Sequence, residues 1–162
     1  MGKPWFDSAQ KPRTGGDALK VQELMTQDVS CVQPSDSIQQ AAQIMQSRNV
    51  GSVPVCEGKK VVGMITDRDI TLNAVAKGKA SETKVQECMT SEVVSCRPDT
   101  DAHEAADLMA RHQIRRLPVC DEAGNLAGIC AIGDLATVDI HINEAGDALS
   151  QISQPSGQQA IQ

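Results

Sequence analysis

Val21-Gln22-Glu23-Leu24-Met25-Thr26 returns 64 positions further on as Val85-Gln86-Glu87-Cys88-Met89-Thr90, and this recurrence decides the fold. The match continues outward from it. Pro34 answers to Pro98, Ala41-Ala42 to Ala105-Ala106, Met45 to Met109, and Val53-Pro54-Val55-Cys56 to Leu117-Pro118-Val119-Cys120. After a one-residue slip, Gly63 pairs with Gly128 and Asp69 with Asp134. Two copies are too few for a solenoid, which needs about three or more units, so the expectation is two units closed on each other around a pseudo-twofold axis. Such an axis makes two equivalent clefts.

A length of 162 residues suits one compact domain or two small units sharing a core, not a catalytic domain with a separate regulatory one, so a stand-alone module is expected. Hydrophobic residues make up 40% of the chain and aromatics 1%, the latter being Trp5 and Phe6. The core is therefore aliphatic and methionine-rich. Any bound base would be sandwiched by Val, Ile and Pro, without the stacking platform used by single-strand nucleic-acid binders. A formal charge of −6 also disfavours nucleic acid and anionic membrane as partners. No stretch approaches the roughly 18 apolar residues of a membrane span, and the polar start is not a secretory signal, so a cytoplasmic address is expected.

The six cysteines fall at hydrophobic strand and helix positions, with Cys56 and Cys120 equivalent in the two repeats. Buried, reduced cysteine acting as a small hydrophobe is the simpler reading, and redox sensing is the alternative. No Cys-x-x-Cys or Cys/His cluster supports a metal site.

Along the chain, residues 1–17 read as a flexible arm, 18–80 as the first repeat, 81–140 as the second, and 141–162 as a helix end with a polar tail from Ser150. A short linker helix carrying Leu24-Met25 is expected, followed by a strand over Asp28–Val32 that ends at Pro34. Ile38, Ala41, Ala42 and Met45 then mark one helical face, capped by Ser35 or Asp36; Ala102, Ala105, Ala106 and Met109 repeat it behind Asp99 and Thr100. Strand pairs follow at Ser52–Cys56 with Val61–Ile65, and at Arg116–Cys120 with Leu126–Cys130. Closing helices begin near Asp67 and Gly133. Each copy is thus β-α-β-β-α behind its linker helix, a mixed α/β fold.

This order of elements, with Asn49-Val50-Gly51-Ser52-Val53-Pro54-Val55, Val62-Gly63-Met64-Ile65-Thr66-Asp67-Arg68-Asp69 and Gln113-Ile114-Arg115-Arg116-Leu117-Pro118-Val119, resembles a pair of CBS (cystathionine-β-synthase-type) domains over residues 20–140. The resemblance is to the short bacterial proteins made of one such pair. It implies a regulatory sensor of AMP, ADP or ATP, with S-adenosylmethionine less favoured, assembled as a homodimer through its helices and reporting to a downstream protein.

The residues bear on that implication one by one. Thr66 and Asp69, three apart where a strand meets a helix, form either a capping box or a polar wall whose carboxylate accepts the two hydroxyls of a ribose. The resemblance favours the ribose clamp. In the second copy the aligned quartet is Ala131-Ile132-Gly133-Asp134, which lacks the hydroxyl, so the cleft of Asp134 is expected to be the weaker one. Arg115-Arg116 supply cations for phosphate, and the resemblance implies that they reach the nucleotide clamped by the other repeat. Their alternative is an exposed strand start paired with surface carboxylates. Val29, Cys31, Val50, Val53, Pro54 and Ile65 are the expected apolar wall, with plain core packing as the alternative for each. His103, His112 and His141 share no face, and only His112 lies near the arginines.

No phosphate-binding Gly-x-x-x-x-Gly-Lys loop, Gly-x-Ser-x-Gly elbow or His-Glu-x-x-His motif occurs, so no enzyme activity is expected. The competing reading is a ligand-free dimerisation or stress-response scaffold whose cysteines respond to oxidation.

Overall fold

The computed structural model of the chain describes residues 19–136 and 142–154. The expected arm over 1–17, His141 and the end of the tail lie outside the described residues. The first repeat runs α1 (Ile38–Arg48), β1 (Ser52–Glu57), β2 (Lys60–Thr66) and α2 (Asp67–Asn73); the second runs α3 (Ala102–His112), β3 (Arg116–Cys120), β4 (Leu126–Ala131) and α4 (Ile132–Ala136). A further helix, α5 (Ile142–Ser153), packs on α3 and α4. Each repeat contributes one antiparallel hairpin, β1 with β2 and β3 with β4. Gly58 and Gly124 turn these hairpins at φ 62° and 83°, a conformation that costs glycine little.

The expected strand over Asp28–Val32 is reduced to a single parallel bridge between Val32 and Val55, and Cys96 bridges Val119 in the same way. The cause is written in the prolines. Val32 donates to the carbonyl of Pro54 at 3.0 Å and accepts from Cys56 at 2.8 Å. Extending that parallel ladder one step either way requires a backbone N–H from Pro54 or from Pro34, and proline has none. Pro98 and Pro118 stop the second copy identically.

Two further expectations are corrected. The linker segment is one 3₁₀ turn, Val21–Glu23, with Leu24 already outside it, rather than a helix carrying Leu24-Met25. The helix caps are Ser37 and Asp101, later than the residues expected: Ser37 Oγ accepts from Gln40 N–H at 3.1 Å while Gln40 Oε1 accepts from Ser37 N–H at 2.8 Å. Of the expected α1 face, Ile38, Ala41 and Met45 are buried and Ala42 is exposed; in α3 all four small or sulfur residues are buried.

The core is two aliphatic clusters, one per repeat, and each contains a residue from the linker of the other. Val21, fully buried, belongs with Ala105, Met109, Leu117 and Leu135, with Leu24 and Met25 packed against them. Val85 and Cys88 belong with Ile38, Val53, Val55 and Ile65. The linkers also pair across: Thr26 bridges Ile129 and Thr90 bridges Met64. Each linker therefore caps the hairpin of the opposite repeat, and a division at residues 80 and 81 separates Val85 from the core that it fills.

Candidate functional site

A cleft of about 430 Å³ opens between the repeats. The first repeat supplies the Asp28-Val29-Ser30 segment, Ile44 and Arg48 from α1, and Val50, Ser52 and Pro54; the second supplies Arg116, Ile129, Ala131 and Asp134. Thr26 completes it at the seam, where its N–H donates to Ile129 O at 2.8 Å and its carbonyl accepts from Ile129 N–H at 2.9 Å.

Local folding explains why these side chains meet. Helix α1 ends on Asn49 in the left-handed conformation, φ 54°, which turns the chain so that Val50 and Ser52 follow on the cleft side. Alternation along β1 then sends Val53 and Val55 into the core and leaves Pro54 facing the cleft. On the other wall, Asp134 folds back over the start of α4 and its Oδ2 accepts the N–H of Ala131 at 2.7 Å. That bond fixes the carboxylate at the end of β4, and an ionised carboxylate has room for about four hydrogen bonds.

The charges are balanced but not equivalent. Arg48 Nη1 pairs with Asp28 Oδ2 at 2.8 Å in an exposed contact. Arg116, half-buried on β3, has no carboxylate partner among the described residues. Ser52 is 8% exposed, and its hydroxyl finds no hydrogen-bond partner among the described residues. A buried hydroxyl left unpaired costs about 1–3 kcal/mol, so an orphan on a cleft wall calls for a polar occupant.

Of the residues singled out in the sequence, Val29, Val50, Pro54, Arg116 and Asp134 line this cleft. Arg115 is exposed and lies outside the lining, as strand alternation requires for the neighbour of Arg116. Val53 and Ile65 are corrected to core residues: they face each other in the β1–β2 register and are 1% and 0% exposed. Cys31 is exposed and off the lining. Thr66 and Asp69 form a full capping box, with Asp69 Oδ2 accepting from Thr66 N–H at 2.9 Å and Thr66 Oγ1 accepting from Asp69 N–H at 3.0 Å. They do not line this cleft, and the expectation that Arg116 reaches the nucleotide clamped by Thr66 and Asp69 is corrected: the carboxylate that shares the cleft with Arg116 is Asp134, of its own repeat.

Sequence reading missed Asp28, Arg48 and Ser52. Two of them carry a signal in the repeat, since Arg48 aligns with His112 and Ser52 with Arg116.

Two interlocked helix–hairpin repeats with a shared polar-and-apolar cleft define a class of paired-repeat module. The chain matches the CBS domain family over residues 21–75 and 85–141, and it belongs to that family. It is 47% identical over 133 residues to the CBS domain-containing protein YhcV of Bacillus subtilis (strain 168), a match spanning 82% of this chain and 94% of that one. Among solved structures it is similar to CBSX2 in complex with AMP, with TM-score 0.66 and 27% identity, covering 76% of this chain and 98% of the other. It is also similar to the CBS domain pair of MJ0100 in complex with 5′-methylthioadenosine and S-adenosyl-L-methionine, with TM-score 0.68 and 25% identity, covering 75% and 95%. No helix among the described residues is long and apolar enough to cross a membrane.

Proposed function

We propose that this protein is a non-catalytic regulatory module that binds an adenine nucleotide, AMP, ADP or ATP, in the cleft between its repeats. The observation that carries the reading is a cleft whose size suits a small ligand, with the orphan Ser52 hydroxyl on one wall and Arg116, unpaired among the described residues, on the other. Arg116 offers a planar pair of donors to phosphate oxygens, and Ser52 offers a third. Asp134 takes the ribose hydroxyls. Val29, Val50, Ile44 and Pro54 enclose the base without an aromatic ring. The adenosine compounds held by the two structural relatives support the ligand class. The cations favour phosphorylated ligands over S-adenosylmethionine, whose sulfonium gains nothing from them.

Thr66 and Asp69 take the sugar in the pseudo-symmetric cleft on the same reading. Two copies pair through helical surfaces, for which the exposed Leu72 and Val75, 46% and 67% accessible at the end of the first repeat, are the apolar contacts.

Calorimetric titration with AMP, ADP, ATP and S-adenosylmethionine tests the proposal. A nucleotide at about 100 times its Kd adds roughly 2.7 kcal/mol of stability, which a thermal melt also detects. Asp134→Ala and Arg116→Ala should each remove binding at the described cleft, and Asp69→Ala should remove only a second, separate site. Absence of binding by every adenosine compound, with the protein folded, would refute the function.

A further inference from the structure

Cys31 and Cys56 lie on the side of the Val32–Val55 bridge that faces away from the core. Val32 and Val55 both belong to the core cluster of the first repeat, and Cys56 belongs to neither cluster although it is buried. Cys31 is the one exposed cysteine of the six. The two thiols are close enough that Cys31 adds to the rise that burial imposes on Cys56. The second repeat differs here by one atom, because Ser95 replaces Cys31 beside Cys120 and lowers its thiol against the rise from burial. One repeat therefore holds a vicinal pair of thiols where the other holds a hydroxyl and a thiol.

We propose that Cys31 and Cys56 form a peroxide-oxidisable pair that closes into an intramolecular disulfide between the segment before Val32 and β1. The roles follow from exposure. Burial pushes the Cys56 thiol up to about 12, so Cys56 is a poor first nucleophile, and solvent-exposed Cys31 meets the oxidant. The Cys31 thiolate attacks one oxygen of a peroxide; the O–O bond breaks, hydroxide leaves, and Cys31 becomes a sulfenic acid. The Cys56 sulfur then attacks the sulfenic sulfur, the S–O bond breaks, and water leaves carrying the proton of Cys56. In total the two thiols lose two electrons and hydrogen peroxide becomes two waters.

The consequence lies on the ligand side. Ser30, the neighbour of Cys31, lines the cleft, and the segment is otherwise held to β1 by one bridge. A disulfide would fasten that wall to the strand. This inference stands apart from the nucleotide reading and survives its failure.

The test treats the full chain with stoichiometric hydrogen peroxide, alkylates free thiols under denaturing conditions, and reads intact mass and digested peptides. The expected result is two fewer alkyl groups than the untreated protein takes up, with a further loss of about 2 Da, reversed by dithiothreitol, and one cross-linked peptide pair joining Cys31 to Cys56. Cys31→Ser should abolish that loss. This variant gives the first repeat the serine–cysteine arrangement that the second already carries, and its melting curve checks that it folds. Three outcomes overturn the proposal: Cys31 advancing to sulfinic acid while Cys56 stays alkylatable, a cross-link of Cys56 to Cys120 instead, or a disulfide-linked dimer through Cys31.

Discussion

Replacing Gly128 with alanine tests whether the crossed linkers hold the repeats together. A Cβ added at Gly128 would sit 2.7 Å from Thr26 O and 2.8 Å from Met25 Sδ, where ordinary contact begins at 3.4 Å. The thioether can swing aside, but the carbonyl cannot. It accepts from Ile129 N–H at 2.9 Å while Thr26 N–H donates to Ile129 O at 2.8 Å, so moving it strains both bonds of the seam. Overpacking of this kind costs about 1–3 kcal/mol and a weakened hydrogen bond adds about 0.5–1.5. The lost backbone freedom of the unfolded chain returns only about 0.4–1 kcal/mol. The expected net loss is about 2 kcal/mol. With a urea slope of about 2 kcal/mol/M for a domain of this size, the unfolding midpoint should fall by about 1 M. Gly133→Ala is the matched control, since a Cβ there meets nothing within 4 Å inside α4, and its midpoint should hold or rise. A Gly128→Ala protein unfolding at or above the wild-type midpoint would refute the reasoning.

Val21→Ala should cost about 2 kcal/mol, and hydrogen exchange should locate the loosening in α3, β3 and β4 rather than in the first repeat; the reverse pattern would contradict the exchange of linkers. Alkali should destabilise the fold. Desolvation raises Cys56, Cys96 and Cys130 from 9.0 to about 12, 11 and 12, so the folded state keeps protons that the unfolded state releases. Stability from these thiols is fully present below pH 9 and is lost as pH rises toward 11–12. A constant urea midpoint across that window would show that burial does not hold the protons.

The repeat makes most of the fold legible, because the period-64 match yields helix, hairpin and helix in both copies, with boundaries within a residue or two. It does not yield the exchange of linkers. Val21 precedes its own repeat in sequence whichever core it fills, and only the long-range bridges of Thr26 and Thr90 reveal the choice. The single-bridge stop is legible in Pro34 and Pro54 only when they are counted as missing donors rather than as punctuation. Helix α5 is hidden for a different reason: the Gln and Ser around Ser150 suggest a tail, although Ala145, Ala148 and Ile152 fall at helical spacing and the first two are buried. At the site, residue type alone does not separate Pro54 from Val53. Their opposite faces follow from the strand, and the strand direction follows from which repeat covers it.

The same few residues join the repeats and wall the cleft. Thr26 and Ile129 carry both hydrogen bonds of one of the bridges between the repeats and both line the cavity, so a ligand touching Arg116 and Asp134 on one side and Val29 and Ser52 on the other spans that junction. Such a ligand shifts the arrangement of the repeats only by its difference in affinity between arrangements. The hairpin walls resist movement, because each strand is paired along its length and backed by a packed cluster. The segment from Thr26 to Val32 does not. It is held by one bridge at each end and by the exposed Arg48–Asp28 pair between them, and Pro34 and Pro54 forbid more ladder at the Val32 end. On the proposed function this segment is therefore the part whose position a nucleotide sets, and the linker turn at Val21, just before it, carries the displacement into the core of the opposite repeat.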